Sequence, residues 1–366
     1  MSIKPEATTS VDSAKIKTVS KQLLSAYKEQ QGKLYQTQRQ QIQRHREQIL
    51  TKDQRLTGTL FNLLHKTVPT YESPRSQEIT LDSIDLETIY SGVDEQLKKD
   101  LKFPHGDIPY DYVDCLVKEL LRWYKNDFFK WVNQPETTEE QGPAKLVRVE
   151  QSNHQEQTDG KASITEVYIT EKSKETIRFP RFNDPVKLLT WRQGRCGEWV
   201  NCFLLILRSL NIRARYVWNA EDHVWCEYFS PALNTWVHLD SCEESMNQPE
   251  IYCENWGKAM SYCIAVGFDC GVVDVSDKYI TKQDKQLPRN KMSENQLKQL
   301  INLLNFEYMK DWEFDPKIFG LMVEANYEKL YCKRAKQGAA ALHEQTVGRQ
   351  SGDKEWTQAR GEGGSS

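Results

Sequence analysis

The stretch Gly194-Arg195-Cys196-Gly197-Glu198-Trp199 decides how the chain is read. It sets a cysteine between glycines where a helix begins. From Cys196 to about Leu210, the residues Trp199, Phe203, Ile206 and Leu210 fall on one buried face. The start of a helix offers unpaired N–H groups and the positive end of the dipole, and both favour a thiolate. Glycines on either side let a substrate carbonyl approach the backbone, where the cysteine N–H can help bind an oxyanion. A lone cysteine is more often an inert, buried side chain, so the reading depends on the strands that follow.

Strands are expected at 213–219, 223–229 and 235–241. In Asp222-His223-Val224-Trp225-Cys226-Glu227, alternation puts His223, Trp225 and Glu227 on one face. In Trp236-Val237-His238-Leu239-Asp240 it does the same for Trp236, His238 and Asp240. A hairpin in which Ser230 faces Leu233 would set Glu227 opposite Trp236 and His223 opposite Asp240. Opposed side chains lie roughly 5 Å apart at Cβ, within reach of a hydrogen bond. Thiol catalysis needs this trio: an imidazole takes the thiol proton and returns it to the leaving amine, and a carboxylate orients the imidazole. Singly, His223 reads as a structural histidine and Asp240 as a strand-end turn residue. Together with Cys196 they are far more specific.

Outward from this centre, residues 56–133 look mainly helical, with Val113, Leu116, Leu120, Leu121 and Tyr124 in one stripe. Residues 134–163 are polar, carry Gly142-Pro143 and Gly160, and read as a long loop or insertion. Residues 164–170 alternate as a strand, and 294–305 and 316–333 read as helices. Residues 1–55 form an amphipathic extension with Ile16, Val19, Leu23 and Tyr27 at helical spacing; it either packs on the body or docks a partner. The core spans 56–335, and 336–366 reads as a disordered polar tail.

The 366 residues suffice for a sizeable core. A net charge of −3, with both signs dispersed, gives no field for nucleic acid. Nine cysteines without a Cys-x-x-Cys pair suit reduced thiols better than a disulfide framework. Met1 to Lys17 lacks the apolar core of an export signal, and the longest apolar stretch, Phe203 to Leu207, is too short to span a bilayer. The expected location is cytoplasmic, extending to the nucleus, without membrane insertion.

The runs Phe179-Pro180-Arg181-Phe182-Asn183-Asp184-Pro185 and Gly194 to Trp199 closely resemble the nucleophile region of cytosolic peptide:N-glycanases of fungal type. So do Tyr216-Val217-Trp218-Asn219, Asp222 to Trp225 and Trp236 to Glu243. Asn126 to Trp131 and Lys258 to Tyr262 extend the resemblance, which covers about 85–290. It implies an α+β fold with a transglutaminase-like, papain-related core, an antiparallel sheet, a helical N-terminal region and an inserted lobe at about 134–177. It also implies Cys196 as nucleophile, His223 as base and acid, and Asp240 as the orienting carboxylate. The implied reaction hydrolyses the β-aspartylglucosaminyl amide of misfolded N-glycoproteins through a thioester, turning Asn into Asp. By the same resemblance Trp225 and Trp236 would flank the cleft, Glu227 would contact the first sugars, and Trp131 would lie near the nucleophile. Core packing is the plainer reading of those tryptophans. The N-terminal helix would dock a ubiquitin-shuttle protein that delivers glycoproteins to the proteasome.

The chain departs from that family at its structural zinc. The two Cys-x-x-Cys pairs would fall on Thr137 and Glu140, and on Thr170 and Ser173. Hydroxyls and one carboxylate are a poor zinc set, so no metal or cofactor is expected. That loss keeps open a second reading, a catalytically impaired transglutaminase-like scaffold in glycoprotein quality control. A transglutaminase or cysteine protease, which uses the same triad, is the third.

Overall fold

The computed structural model describes residues 13–44, 46–103, 107–309 and 348–364. Helices dominate the first third: α1 (Ser13–Arg44), α2 (Arg46–Thr51), α3 (Gln54–Asn62), α4 (Pro74–Ser83), α5 (Leu86–Leu97) and α6 (Tyr112–Trp123). Their starts are written locally. Asp53, Ser73 and Asp85 each cap a first turn with a side-chain oxygen. Asp111 and Asp114 form a reciprocal box at the head of α6, each carboxylate accepting the other's N–H at 2.9 Å. Behind that cap Leu116, Leu120, Leu121 and Tyr124 are buried.

Three sheets follow. β1 (Lys130–Trp131) runs parallel to β5 (Gln193–Gly194). β2 (Ala144–Gln151), β3 (Ile164–Thr170) and β4 (Thr176–Pro180) make an antiparallel three-stranded lobe, with α7 (His154–Gly160) between its first two strands. After α8 (Pro185–Trp191) and α9 (Cys196–Ser209), a six-stranded antiparallel sheet is ordered β11-β10-β6-β7-β8-β9. Its strands are β6 (Ala214–Asn219), β7 (His223–Ser230), β8 (Thr235–Asp240), β9 (Ser245–Met246), β10 (Cys263–Gly267) and β11 (Gly271–Asp274). A short α10 (Ser276–Tyr279), then α11 (Glu294–Met309) and α12 (Lys354–Ala359), complete the described α-helices.

The six-stranded sheet is buried on both faces. Tyr216, Cys226, Tyr228, Val237 and Leu239 face the core built on α9 and the N-terminal helices. Val217, Trp225, Cys263 and Ala265 face a second core with Tyr252, Trp256 and Tyr279. Such double burial explains why these strands read as near-continuous apolar runs, with polar groups only where partners await them.

Several expectations need correction. Residues 134–163 are not a long loop: β2 and α7 lie within them, because Leu146, Val147 and Val149 supply strand formers and Asn153 with Glu156 makes a capping box. The β7–β8 register differs by two residues, with Ser230 opposite Thr235 and Glu227 opposite His238. A shift of two leaves every side chain on its expected face. The supposedly disordered tail is ordered at 348–364, with Arg349 and Glu362 buried. The helix expected at 316–333 lies outside the described residues. Ile16, Val19, Leu23 and Tyr27 fall on α1 and are 50, 52, 67 and 39% exposed.

Candidate active site

Cys196 opens α9 half-buried, and α9 packs across β7, whose first residue is His223. The turn before Cys196 is tightly made. The Glu198 carboxylate folds back to accept the Arg195 N–H at 3.1 Å, and a Cβ at Gly194 would meet the Glu198 side chain at 2.5 Å. Around Gly197, by contrast, a Cβ would face open space, so a substrate group can come close to this turn. Burial pushes the Cys196 thiol above its ordinary value, and the Arg349 guanidinium pulls against it.

His223 Nε2 lies 3.0 Å from Asp240 Oδ2. His223 Nδ1 is buried and has no hydrogen-bond partner among the described residues. Asp240 is held from three sides, since its Oδ2 also accepts the Tyr252 hydroxyl at 3.1 Å and its Oδ1 the Cys242 N–H at 3.0 Å. Burial raises the Asp240 carboxyl, against His238, Arg349 and these donors. Burial, followed by Arg349, holds His223 well below the ordinary imidazole value. The resting protein therefore favours a neutral thiol at Cys196 and a neutral imidazole at His223. One ring nitrogen bonded to a carboxylate, with the other free, is the arrangement of an imidazole set to move a proton.

The protein that matches this chain at 43% identity over 308 residues, 80% of this chain and 82% of its own length, is the peptide-N(4)-(N-acetyl-beta-glucosaminyl)asparagine amidase of Saccharomyces cerevisiae. The chain belongs to that amidase family. The Debaryomyces hansenii member is 40% identical over 86% of this chain and 88% of its own. The Candida albicans member is 36% identical over all of this chain and 99% of its own. The model of the transglutaminase-like superfamily matches residues 145–241, and that of the Rad4 transglutaminase-like domain matches 216–329. A solved Rad4–Rad23 complex aligns with a TM-score of 0.43 at 14% identity, over 82% of this chain and 60% of that one.

Within this amidase the expected sugar contacts are differently placed. Trp131 pairs across from Gly194, two residues before Cys196, and is half-buried. Trp225 is fully buried and stacks on Tyr252 at 4.3 Å. Trp236 is buried, with the Arg215 guanidinium 4.2 Å from its ring centre. Glu227 is not an open carboxylate: it accepts Arg215 Nε at 2.6 Å, the Tyr279 hydroxyl at 2.6 Å and the Lys278 ammonium. Burial alone would raise its carboxyl, but Arg215 and Lys278 hold it down at about 2. The correction has a simple cause. Both faces of the sheet are covered, so the face that carries His223, Trp225 and Glu227 is core along its length.

The zinc positions do not fit a metal either. Thr170 and Ser173 hydroxyls bond one another at 2.7 Å, and Thr170 also accepts the Glu175 N–H at 2.9 Å. Glu140 is exposed. Among the described residues no group of three or more His, Cys, Asp or Glu could hold a metal ion. The two turns are stitched instead by Lys172 Nζ to the Glu139 carbonyl at 2.8 Å and Gln141 Nε2 to Glu175 at 2.7 Å.

Sequence reasoning missed Tyr252, Trp256, Arg349 and Glu362 around His223 and Asp240. Arg349 and Glu362 stand in a segment of low apolar content, where composition carried no signal for them.

Proposed function

We propose that the chain is a peptide:N-glycanase that releases N-glycans from misfolded glycoproteins. Cys196 gives its proton to His223 Nδ1 and attacks the asparagine side-chain carbonyl carbon. A C–S bond forms, and the carbonyl π pair moves to oxygen, which the Cys196 N–H helps to hold. As the oxyanion collapses the C–N bond breaks, and the proton on Nδ1 passes to the departing glycosylamine. Water, deprotonated by the same nitrogen, then cleaves the thioester and leaves aspartate in the peptide. Asp240 keeps Nε2 protonated throughout.

The observation that carries this reading is the His223 ring, bonded to Asp240 at one nitrogen and unpartnered at the other among the described residues. Work in the cytoplasm and nucleus, without zinc, completes the proposal. The exposed stripe Ile16, Val19, Leu23, Tyr27 on α1 supports docking of a shuttle protein that hands substrates to the proteasome. The test is glycan release from a denatured glycopeptide by wild type beside Cys196→Ala. Release by wild type and none by the variant is expected. A folded wild type that releases no glycan would instead favour the scaffold reading.

A further inference from the structure

The segment 348–364 is held over the site by charge. Arg360 pairs with Asp222, the residue before His223. Glu243, just beyond Asp240, accepts the N–H groups of Gln350 and Ser351 at 2.9 and 3.0 Å. Lys258 Nζ donates to Glu362 at 2.6 Å and to the Glu221 carbonyl at 2.7 Å. At the centre of this strap is Arg349, whose side chain is fully buried. Its Nε donates to Ser351 Oγ at 2.9 Å and its Nη1 to Glu362 Oε2 at 2.6 Å.

Three indole rings surround the guanidinium. Its carbon lies 5.0 Å from the ring centre of Trp131, 4.9 Å from Trp256 and 4.7 Å from Trp356. Trp131 lies beside the strand leading to Cys196, and the Trp256 ring is 5.1 Å from that of His223. The cation is thus lodged between the thiol and imidazole sides of the site. Its Nη2, which carries two N–H bonds, is buried and has no partner among the described residues. A charged donor left unpaired in an apolar setting is unfavourable, and native structures rarely keep one without a use.

We propose that Arg349 is a further catalytic residue, whose free Nη2 donates to the carbonyl oxygen of the glycosylated asparagine and holds the negative charge formed there when Cys196 attacks. The proposal rests on the amidase reading above. Three features besides the free donor support it. The cage of indoles excludes water and strengthens the field of the cation. Bonds to Ser351 and Glu362 fix the guanidinium before substrate arrives, so no reorganisation is needed during reaction. Arg349 is also the foremost charge acting on Cys196, favouring the thiolate, while Glu362 offsets its effect at His223. The guanidinium therefore favours an anion on the cysteine side, while at His223 Glu362 offsets its effect only in part.

The test uses the full chain. Arg349→Met is paired with Glu362→Gln so that the carboxylate is not left without its guanidinium, Lys258 keeping the Glu221 carbonyl, and Arg349→Lys keeps the charge but loses the forked donor. Turnover of a glycopeptide, melting, and the pH midpoint for alkylation of Cys196 by iodoacetamide are measured for each. With folding retained, the paired variant should lose about 10²–10³-fold in kcat, as for other oxyanion donors, with KM changed less than about threefold. Its alkylation midpoint should move up. Arg349→Lys should restore that midpoint without restoring kcat. A folded paired variant with kcat within about threefold of wild type overturns the proposal, as does a loss of kcat that only tracks loss of folded protein. If wild type released no glycan, the function reading would fail, while the alkylation midpoint would still report the charge of Arg349 at the cysteine.

Discussion

Replacing Glu166 with glutamine should destabilise the protein and slow it together, because this one carboxylate joins the inserted lobe to the residues around Cys196. Glu166 on β3 is buried and accepts Arg195 Nη1 and Nη2, both at 2.7 Å, Arg181 Nη1 at 3.1 Å and the Tyr168 hydroxyl at 2.7 Å. Arg181 keeps a bidentate partner in Glu198, at 2.5 and 2.8 Å. Arg195 does not: without the carboxylate it retains the carbonyls of Val132 and Asn133 and the Tyr168 hydroxyl, none of them charged. Breaking a buried ion pair from one side costs roughly 3–5 kcal/mol, chiefly by stranding the other charge. Arg195 is partly exposed, so the lower end, about 3 kcal/mol, is expected. At about 2 °C per kcal/mol for a chain of this size, melting should fall by about 6 °C. Because Arg195 directly precedes Cys196, kcat should fall as well. Calorimetry on Glu166→Gln, Arg195→Met and the double variant forms a cycle whose coupling should be about 1–3 kcal/mol. Melting of Glu166→Gln within about 1 °C of wild type, or additive single effects, would show that the lobe is not anchored in this way.

Stability should also fall with acid. His223 and His238 are buried and depressed, His238 to about 3, so below about pH 6.5 the unfolded chain binds protons that the folded one refuses. Stability is then full above that pH and declines by about 1.4 kcal/mol per unit per histidine as the pH drops; a flat melting profile from pH 7 to 5 would contradict this. Deleting residues 1–30 should leave glycopeptide turnover within about twofold of wild type and abolish binding of the shuttle partner, measured by calorimetry; unfolding of the core instead would make the stripe structural. Chelation should change neither melting nor turnover, and metal analysis should find no stoichiometric zinc, since two hydroxyls that bond one another, a third hydroxyl and one carboxylate make a poor zinc set.

The centre of the molecule was legible because its pattern is short-ranged. Helix α9 begins at the expected cysteine, and β6, β7 and β8 lie within a residue or so of their expected bounds. Alternation gave the faces, which survive a shift of two, whereas the pairing itself depends on a turn whose residues Pro231, Ala232, Leu233 and Asn234 carry no fixed geometry. Asn234 takes a positive φ of 50° there, a conformation that places the turn one residue later than a tight reversal at Leu233 would. Burial was the harder matter. Nothing in the alternation of Trp225 and Glu227 tells whether their face meets solvent or a second core. That is decided by Tyr252, Trp256 and Tyr279, which reach it from later parts of the chain. In the lobe Tyr168 and Ile177 pack together, while Ile164 is exposed at the start of its strand.

The tail shows why composition misled. Disorder is inferred when a segment has too little apolar surface to offset its conformational entropy. Residues 348–364 satisfy that description, yet they are ordered by a different route. Two tryptophans of the body, Trp131 and Trp256, receive Arg349, and Trp356 closes over the same guanidinium. Glu362, held at about 2 by its cationic neighbours although burial opposes it, gathers Lys258, Arg349 and Arg360 around one carboxylate. Buried ion pairs are poor general stabilisers, because desolvation offsets most of their attraction. They are selective, however: a segment held by them fits one surface and no other. Buried charge set next to Cys196 and His223 places fixed dipoles where, on the mechanism proposed above, reaction charge develops. The same order could not come from leucines without losing that field.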